Sequence, residues 1–121
     1  QITDKATSLR KEQVSDFQTI LDNHFVRSRS VTFYAEYYGL SVDAFSKKIK
    51  NHFGKPPSIL IQERLVLEAK KLLHLTHKNI KEIATDLFFE DEFYFSRYFK
   101  KQVGVSPKAF REKVGISIVA K

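Results

Sequence analysis

The chain has 121 residues, with 21 basic against 14 acidic side chains for a formal net charge of +7, and it includes eleven Phe and five Tyr but no cysteine. That length holds one domain, or two small units sharing a core, and the lack of cysteine excludes disulfide scaffolds, thiolate zinc sites and cysteine nucleophiles together. The basic excess favours polyanions, nucleic acid first and an anionic membrane surface second, although composition alone fits a solubility-tuned surface equally well.

Residues 1–8 are polar and read as a linker or frayed end. From about Leu9 to Phe25, the residues Val14, Phe17, Leu21 and Phe25, joined by Ile20, recur at helical spacing. The run Arg27-Ser28-Arg29-Ser30 interrupts that pattern. Thr32 is then placed to cap a short helix reaching about Tyr38, and Gly39 suits a left-handed C-terminal turn. Ser41 is a good N-cap for the next helix, whose inward face is Phe45, Ile49 and Phe53, with His52 bordering the core. Gly54 ends it. Pro56-Pro57 cannot sit inside a helix but can open one, and a longer helix follows to about Leu75 with Ile61, Leu65, Ala69, Leu72 and Leu73 as its apolar stripe. Asn79 caps a short helix from Ile80 to Leu87, and a polar turn around Glu90-Asp91 leads into a helix with Phe95, Phe99 and Val103 inward. After Gly104, Ser106-Pro107 starts a last helix that turns Phe110 and Val114 inward. Residues 115–121 read as a loose tail, in which Ile116, Ile118 and Val119 alternate like a strand without a visible partner.

The pattern predicts an all-α chain of seven helices. Two trihelical, homeodomain-like helix-turn-helix subdomains, 9–56 and 77–114, flank a linker helix at 57–76. No apolar run approaches the roughly 20 residues that span a bilayer, and no signal-peptide pattern is present. The chain starts at Gln1 and has no methionine, so it is expected to be a piece of a longer protein.

One motif occurs twice. Phe45-Ser46-Lys47-Lys48-Ile49-Lys50, followed by Gly54 and Pro57, returns fifty residues later as Phe95-Ser96-Arg97-Tyr98-Phe99-Lys100, followed by Gly104 and Pro107. Ahead of each copy, Val31, Tyr34, Ala35 and Tyr38, and then Ile80, Ile83, Ala84 and Leu87, share the spacing i, i+3, i+4, i+7. Basic residues recur with the motif: Lys47, Lys48 and Lys50, then Arg97, Lys100 and Lys101. A helix-turn-helix lays its second helix in the major groove, so that helix needs one apolar face for its neighbours and one polar or basic face for bases and phosphates. Segments 42–53 and 92–103 both meet this requirement. A linker helix of about 19 residues spans roughly 28 Å, against roughly 34 Å between successive major-groove faces. Two such helices in one chain therefore predict an asymmetric duplex site read by a single monomer.

Other chemistry finds little support. His74 and His77 lie three apart near a helix end and read as solvated residues, with no third ligand nearby in sequence. Glu36, Glu82, Glu63 and Glu68 read as solvated helix faces. No phosphate loop, nucleophile elbow or metal signature occurs, so neither an enzyme nor a cofactor is expected. The competing reading is a helical protein-interaction module whose basic faces bind an acidic partner.

Several stretches together resemble the C-terminal DNA-binding domain of AraC/XylS transcriptional regulators. They are Arg64-Leu65-x-x-x-Ala69-x-x-Leu72-Leu73, Ile80-Lys81-Glu82-Ile83-Ala84, Phe89-x-Asp91, Tyr94-Phe95-Ser96-Arg97-x-Phe99-Lys100-Lys101, Gly104, Ser106-Pro107 and Phe110-Arg111. The resemblance covers about residues 11–114. It implies base contacts from Asp43, Ser46 and Lys47 in the first module and from Glu92, Phe93, Ser96 and Arg97 in the second. It further implies phosphate contacts from Lys50, Lys100 and Lys101, with Thr32 and Asn79 placing helix N-termini toward the backbone. A bacterial cytoplasmic, nucleoid-associated protein that contacts RNA polymerase is implied too, with a sensor or dimerisation region ahead of Gln1. Two positions depart from the family pattern. Phe88 stands where glycine is common, so the turn is either strained or built differently. Phe93 replaces a small polar residue and either meets a thymine methyl or packs. Asp43 and Glu92 either accept from cytosine N4 or cap their helices.

Overall fold

Side-chain caps decide where most of the helices begin. In the computed structural model, which describes residues 14–117, Ser30, Ser41, Asn79, Asp91 and Ser106 each accept the backbone N–H three residues on. Each thereby satisfies one of the donors that a helix start leaves open. Seven helices follow among the described residues: α1 Phe17–His24, α2 Val31–Tyr37, α3 Val42–Phe53, α4 Pro57–Leu75, α5 Ile80–Asp86, α6 Glu92–Val103 and α7 Pro107–Val114. Two helix-turn-helix pairs, α2–α3 and α5–α6, make up the fold expected from the repeat. The segment Leu9 to Gln13, assigned above to the first helix, lies outside the described residues, as do Ile118 and Val119.

The cap of α2 is Ser30, whose hydroxyl accepts from Phe33 at 3.0 Å, rather than Thr32. Thr32 is the exposed second residue of the helix. The apolar stripe explains the shift, because Val31 can join Tyr34 and Ala35 on one face only if the helix starts at Val31.

The chain divides into two compact units between Arg64 and Leu65, inside α4. In the first unit the rings of Tyr34, Phe45 and Phe53 meet Phe17 edge-on at 5.4, 5.6 and 6.0 Å, and Tyr38 stacks on Phe45 at 5.6 Å. Such pairs add about 0.5–1.5 kcal/mol beyond area burial. The two buried phenols keep polar partners, Tyr34 donating to Ser28 O at 2.6 Å and Tyr38 to the Asp16 carboxylate at 2.7 Å. Burial pushes the Tyr34 hydroxyl up to about 12, so it stays a donor. Arg64 fixes α4 to α1 by an ion pair with Asp22 at 2.7 Å and by lying 4.0 Å over the Phe25 ring. His52 is exposed, with its ring 4.6 Å from Phe53, and does not border the core as expected. By spacing it shares the side of Phe45 and Ile49, but it lies in the last turn of α3 and is exposed there.

In the second unit Phe95 and Phe99 are buried with Ile83, Ala84, Leu87, Leu65, Ala69 and Leu73. Arg111 donates to Leu73 O at 2.8 Å and to Thr76 O at 3.3 Å, occupying carbonyls that the end of α4 would otherwise leave open. The start of the tail is held and not loose: Ser117 donates its N–H to His74 O at 2.7 Å, and His74 Nδ1 lies 2.9 Å from Gly115 O. His74 is accordingly half-buried, contrary to its reading as a solvated residue. Val114, expected to face inward, is exposed at the edge of an apolar cavity with Leu75 and Phe110, because α7 ends there.

The turns inside the two helix-turn-helix pairs share one geometry. Gly39 N donates to Glu36 O and Leu40 N to Ala35 O, while Phe88 N donates to Thr85 O and Phe89 N to Ala84 O. Gly39 has φ +69°, and Phe88, its counterpart, has φ +61°. The turn is therefore the ordinary one, and Phe88 bears the left-handed backbone that a glycine would accept freely. Its side chain is 53% exposed, which leaves room for it there. The second turn is one residue longer, since Glu90 separates Phe89 from the cap Asp91, whereas Leu40 directly precedes the cap Ser41. Hence the first helices of the pairs are offset by 49 residues and the second helices by fifty.

Replacing Phe88 with Gly should relieve the left-handed strain and raise stability by about 0.5–1 kcal/mol. Urea unfolding measures it, and a loss of stability would mean that the contacts of the Phe88 ring outweigh its backbone cost.

Candidate nucleic-acid interface

Helix α3 turns the fully buried Phe45 and Ile49 inward. The opposite face then carries Asp43, Lys47 and Lys50 at spacing i, i+4, i+7, all exposed, with Ser46 half-buried on its flank. Helix α6 repeats the arrangement. Phe95 and Phe99 are buried, Phe93, Arg97 and Lys100 form the exposed stripe with Lys101 beside it, and Ser96 is half-buried like Ser46. Asp43, Lys47 and Lys50 of α3, and Phe93, Arg97, Lys100 and Lys101 of α6, thus share one exposed face of their helix, with Ser46 and Ser96 at its edge. Glu92 is half-buried at the first position of α6.

Asp43 and Glu92 are not the caps of these helices; Ser41 and Asp91 are, accepting from Ala44 at 3.1 Å and from Tyr94 at 2.8 Å. The two carboxylates lie instead in the first turns, where the positive end of the helix dipole favours them by about 0.3–1 kcal/mol. Gly54 and Gly104 close both helices in the left-handed conformation.

Charge is distributed unevenly. Lys55 pairs with Glu63, Arg64 with Asp22, Lys71 with Glu68 and Lys78 with Asp86, and the last contact raises the Lys78 ammonium above its usual range through its hydrogen bond and charge. Among the described residues, no carboxylate lies within ion-pair distance of Lys47, Lys50, Arg97, Lys100 or Lys101. The basic charge on the outward faces of α3 and α6 is therefore left for an external anion.

Thr32 and Asn79 are both exposed near the starts of the leading helices α2 and α5. Asn79 is engaged in a reciprocal capping box: its side chain accepts from Glu82 N and its own N–H donates to Glu82 Oε1, each at 2.8 Å. The Glu82 carboxylate partly neutralises the start of α5, whereas α2 has no acidic residue in its first turn.

Sequence reasoning passed over Tyr94, whose ring lies 6.0 Å from the Arg97 guanidinium and 6.0 Å from the Phe89 ring. The i, i+3 spacing of Tyr94 and Arg97 was the available signal. Among the described residues, no group of three or more His, Cys, Asp or Glu could hold a metal ion, and no helix is long and apolar enough to cross a membrane.

A family of helix-turn-helix domains matches residues 34–113. The chain is 31% identical over 91 residues to the HTH-type transcriptional activator RhaS of Mannheimia succiniciproducens, covering 75% of this chain and 34% of that protein. Among solved structures it is similar to the C-terminal domain of AraT, a response regulator from Geobacillus stearothermophilus, with 31% identity, a TM-score of 0.75, and coverage of 85% of this chain and 86% of that one. It also shares the fold of a transcriptional regulator of the AraC-type DNA-binding domain-containing proteins from Chromobacterium violaceum, at 23% identity, TM-score 0.72 and coverage of 91% and 96%. The chain spans 33 to 41% of the length of the first curated relatives it matches.

Asp91→Ala should cost about 1 kcal/mol in urea unfolding at neutral pH, because it removes the cap that fixes the start of α6. Asp91→Asn should retain most of that stability; an equal loss for both would mean that the cap contributes through more than its hydrogen bond.

Proposed function

Because the chain belongs to the AraC/XylS family of helix-turn-helix transcriptional regulators, we propose that it reads duplex DNA with α3 and α6 in successive major grooves of one asymmetric site. Members of this family regulate transcription and are not enzymes. One observation carries the geometric proposal: each unit presents the same i, i+4, i+7 stripe, rich in cations with no carboxylate partner among the described residues, opposite two buried residues.

In this reading Asp43, Ser46 and Lys47 of α3, and Glu92, Phe93, Ser96 and Arg97 of α6, meet base edges. Arg97 is the strongest element of readout, since guanidinium pairs in bidentate fashion with guanine O6 and N7. Lys50, Lys100 and Lys101 meet phosphates, which fixes register without selecting sequence. The starts of α2 and α5, near Thr32 and Asn79, approach the sugar–phosphate backbone. Glu82 weakens that contact on the α5 side by placing a carboxylate where a phosphate would come.

The span of α4 supports the spacing. Its 19 residues extend about 28 Å, close to the roughly 34 Å between successive groove faces. No two-fold symmetry is needed, since the two modules are unequal and lie in one chain. In the whole protein we place a sensor or dimerisation region outside this chain, a contact with RNA polymerase, and residence on the bacterial nucleoid.

The test is selection of bound duplexes from a random pool, followed by binding of variants to the recovered site. Arg97→Ala should lose about 1–3 kcal/mol on that duplex and relax preference at one base pair, with little change on random DNA. Lys50→Ala should weaken both duplexes alike and reduce the slope of log K against log salt by about one. Equal loss on specific and random DNA for Arg97→Ala would remove it from direct readout.

A further inference from the structure

We propose that Phe93 recognises the C5-methyl group of a pyrimidine, at one position in the half of the site read by the second module; the proposal rests on α6 being a recognition helix. Phe93 is 68% exposed, more than any other large hydrophobic residue in the described part of the chain. It stands one turn ahead of Arg97, on the face that also carries Lys100. The neighbouring aromatic Tyr94 is placed against Phe89 and the Arg97 guanidinium, so Phe93 is the apolar group that this face turns outward.

A phenyl ring has no donor or acceptor, so it cannot take part in the hydrogen-bond code of the base edges. The apolar feature that the major groove offers is the thymine C5-methyl. Burying the ring against that methyl removes apolar surface from water on both sides, while the cations of α6 bring it to the groove. The corresponding position of α3 is Asp43, which cannot make this contact. Methyl readout is therefore confined to one module, and this makes the two halves of the site chemically unlike.

Thymine and 5-methylcytosine both present the group, and the test separates them. The duplex recovered from a random pool by the wild-type chain is resynthesised with each thymine in turn replaced by deoxyuridine. At the responding position, cytosine and 5-methylcytosine are then compared opposite guanine. Wild type should bind the thymine duplex about three- to fivefold more tightly than the uracil duplex at one position. Discrimination of thymine from uracil alone assigns the contact to thymine, while a matching preference for 5-methylcytosine over cytosine assigns it to the methyl itself. Phe93→Ala should bind methylated and unmethylated versions alike, and Phe93→Leu should keep part of the preference. Because the ring is exposed, both variants should unfold at the wild-type temperature. A wild type indifferent to uracil at every position, or a Phe93→Ala variant with undiminished methyl preference, overturns the proposal. Failure of the wild type to enrich any duplex overturns the reading of α6 as well.

Discussion

Burial of Phe45 and Ile49 in one unit, and of Phe95 and Phe99 in the other, fixes the roll of the helix that carries them. Each such side chain contributes about 1.5–3 kcal/mol when withdrawn from water, so turning either helix about its axis would forfeit most of its anchoring. With the roll fixed, helical geometry alone decides which residues face out: Asp43, Lys47 and Lys50, and Phe93, Arg97 and Lys100. The caps Ser41 and Asp91 and the left-handed Gly54 and Gly104 then fix where each helix starts and stops. What the surface can bind follows from what the core has taken.

The distribution of ion pairs complements this arrangement. Arg64, Lys55, Lys71 and Lys78 are committed to carboxylates within their own units. Cations on the exposed stripes of α3 and α6 have no such partner among the described residues, and uncompensated charge facing solvent is what a phosphate backbone exploits through counterion release. The modules differ in detail. The first offers Asp43 and Lys47 where the second offers Phe93 and Arg97, and Glu82 sits at the start of α5 where α2 has no acid. These differences change the chemistry that each exposed face offers without changing which residues anchor its helix.

Much of the architecture was legible because its signals are local. The caps Ser41, Asn79 and Ser106, the closing glycines and the apolar spacing of α3 to α6 each lie within a few residues of the feature they specify. The misassigned cap at Thr32 came from weighing one residue's preference above the register of Val31 with Tyr34. Asp43 and Glu92 were read as possible caps, although Ser41 and Asp91 already held those positions. Long-range contacts were invisible: the attachment of Ser117 and Gly115 to His74, and of Arg111 to the end of α4, join residues 35 to 43 positions apart. The departure at Phe88 was visible in the sequence, but whether the backbone would keep the left-handed turn was not; the hydrogen bonds around Ala84 and Thr85 hold it there. The extra residue Glu90 was hidden by two repeats whose offsets differ by one.

We propose one chain on one duplex, engaged through two recognition helices joined by α4. Inserting about half a helical turn, roughly five base pairs, between the two blocks of the selected site tests it most directly, because the second block is then carried to the opposite side of the duplex. Affinity should drop to that of a duplex holding a single block. Undiminished binding after the insertion would contradict it.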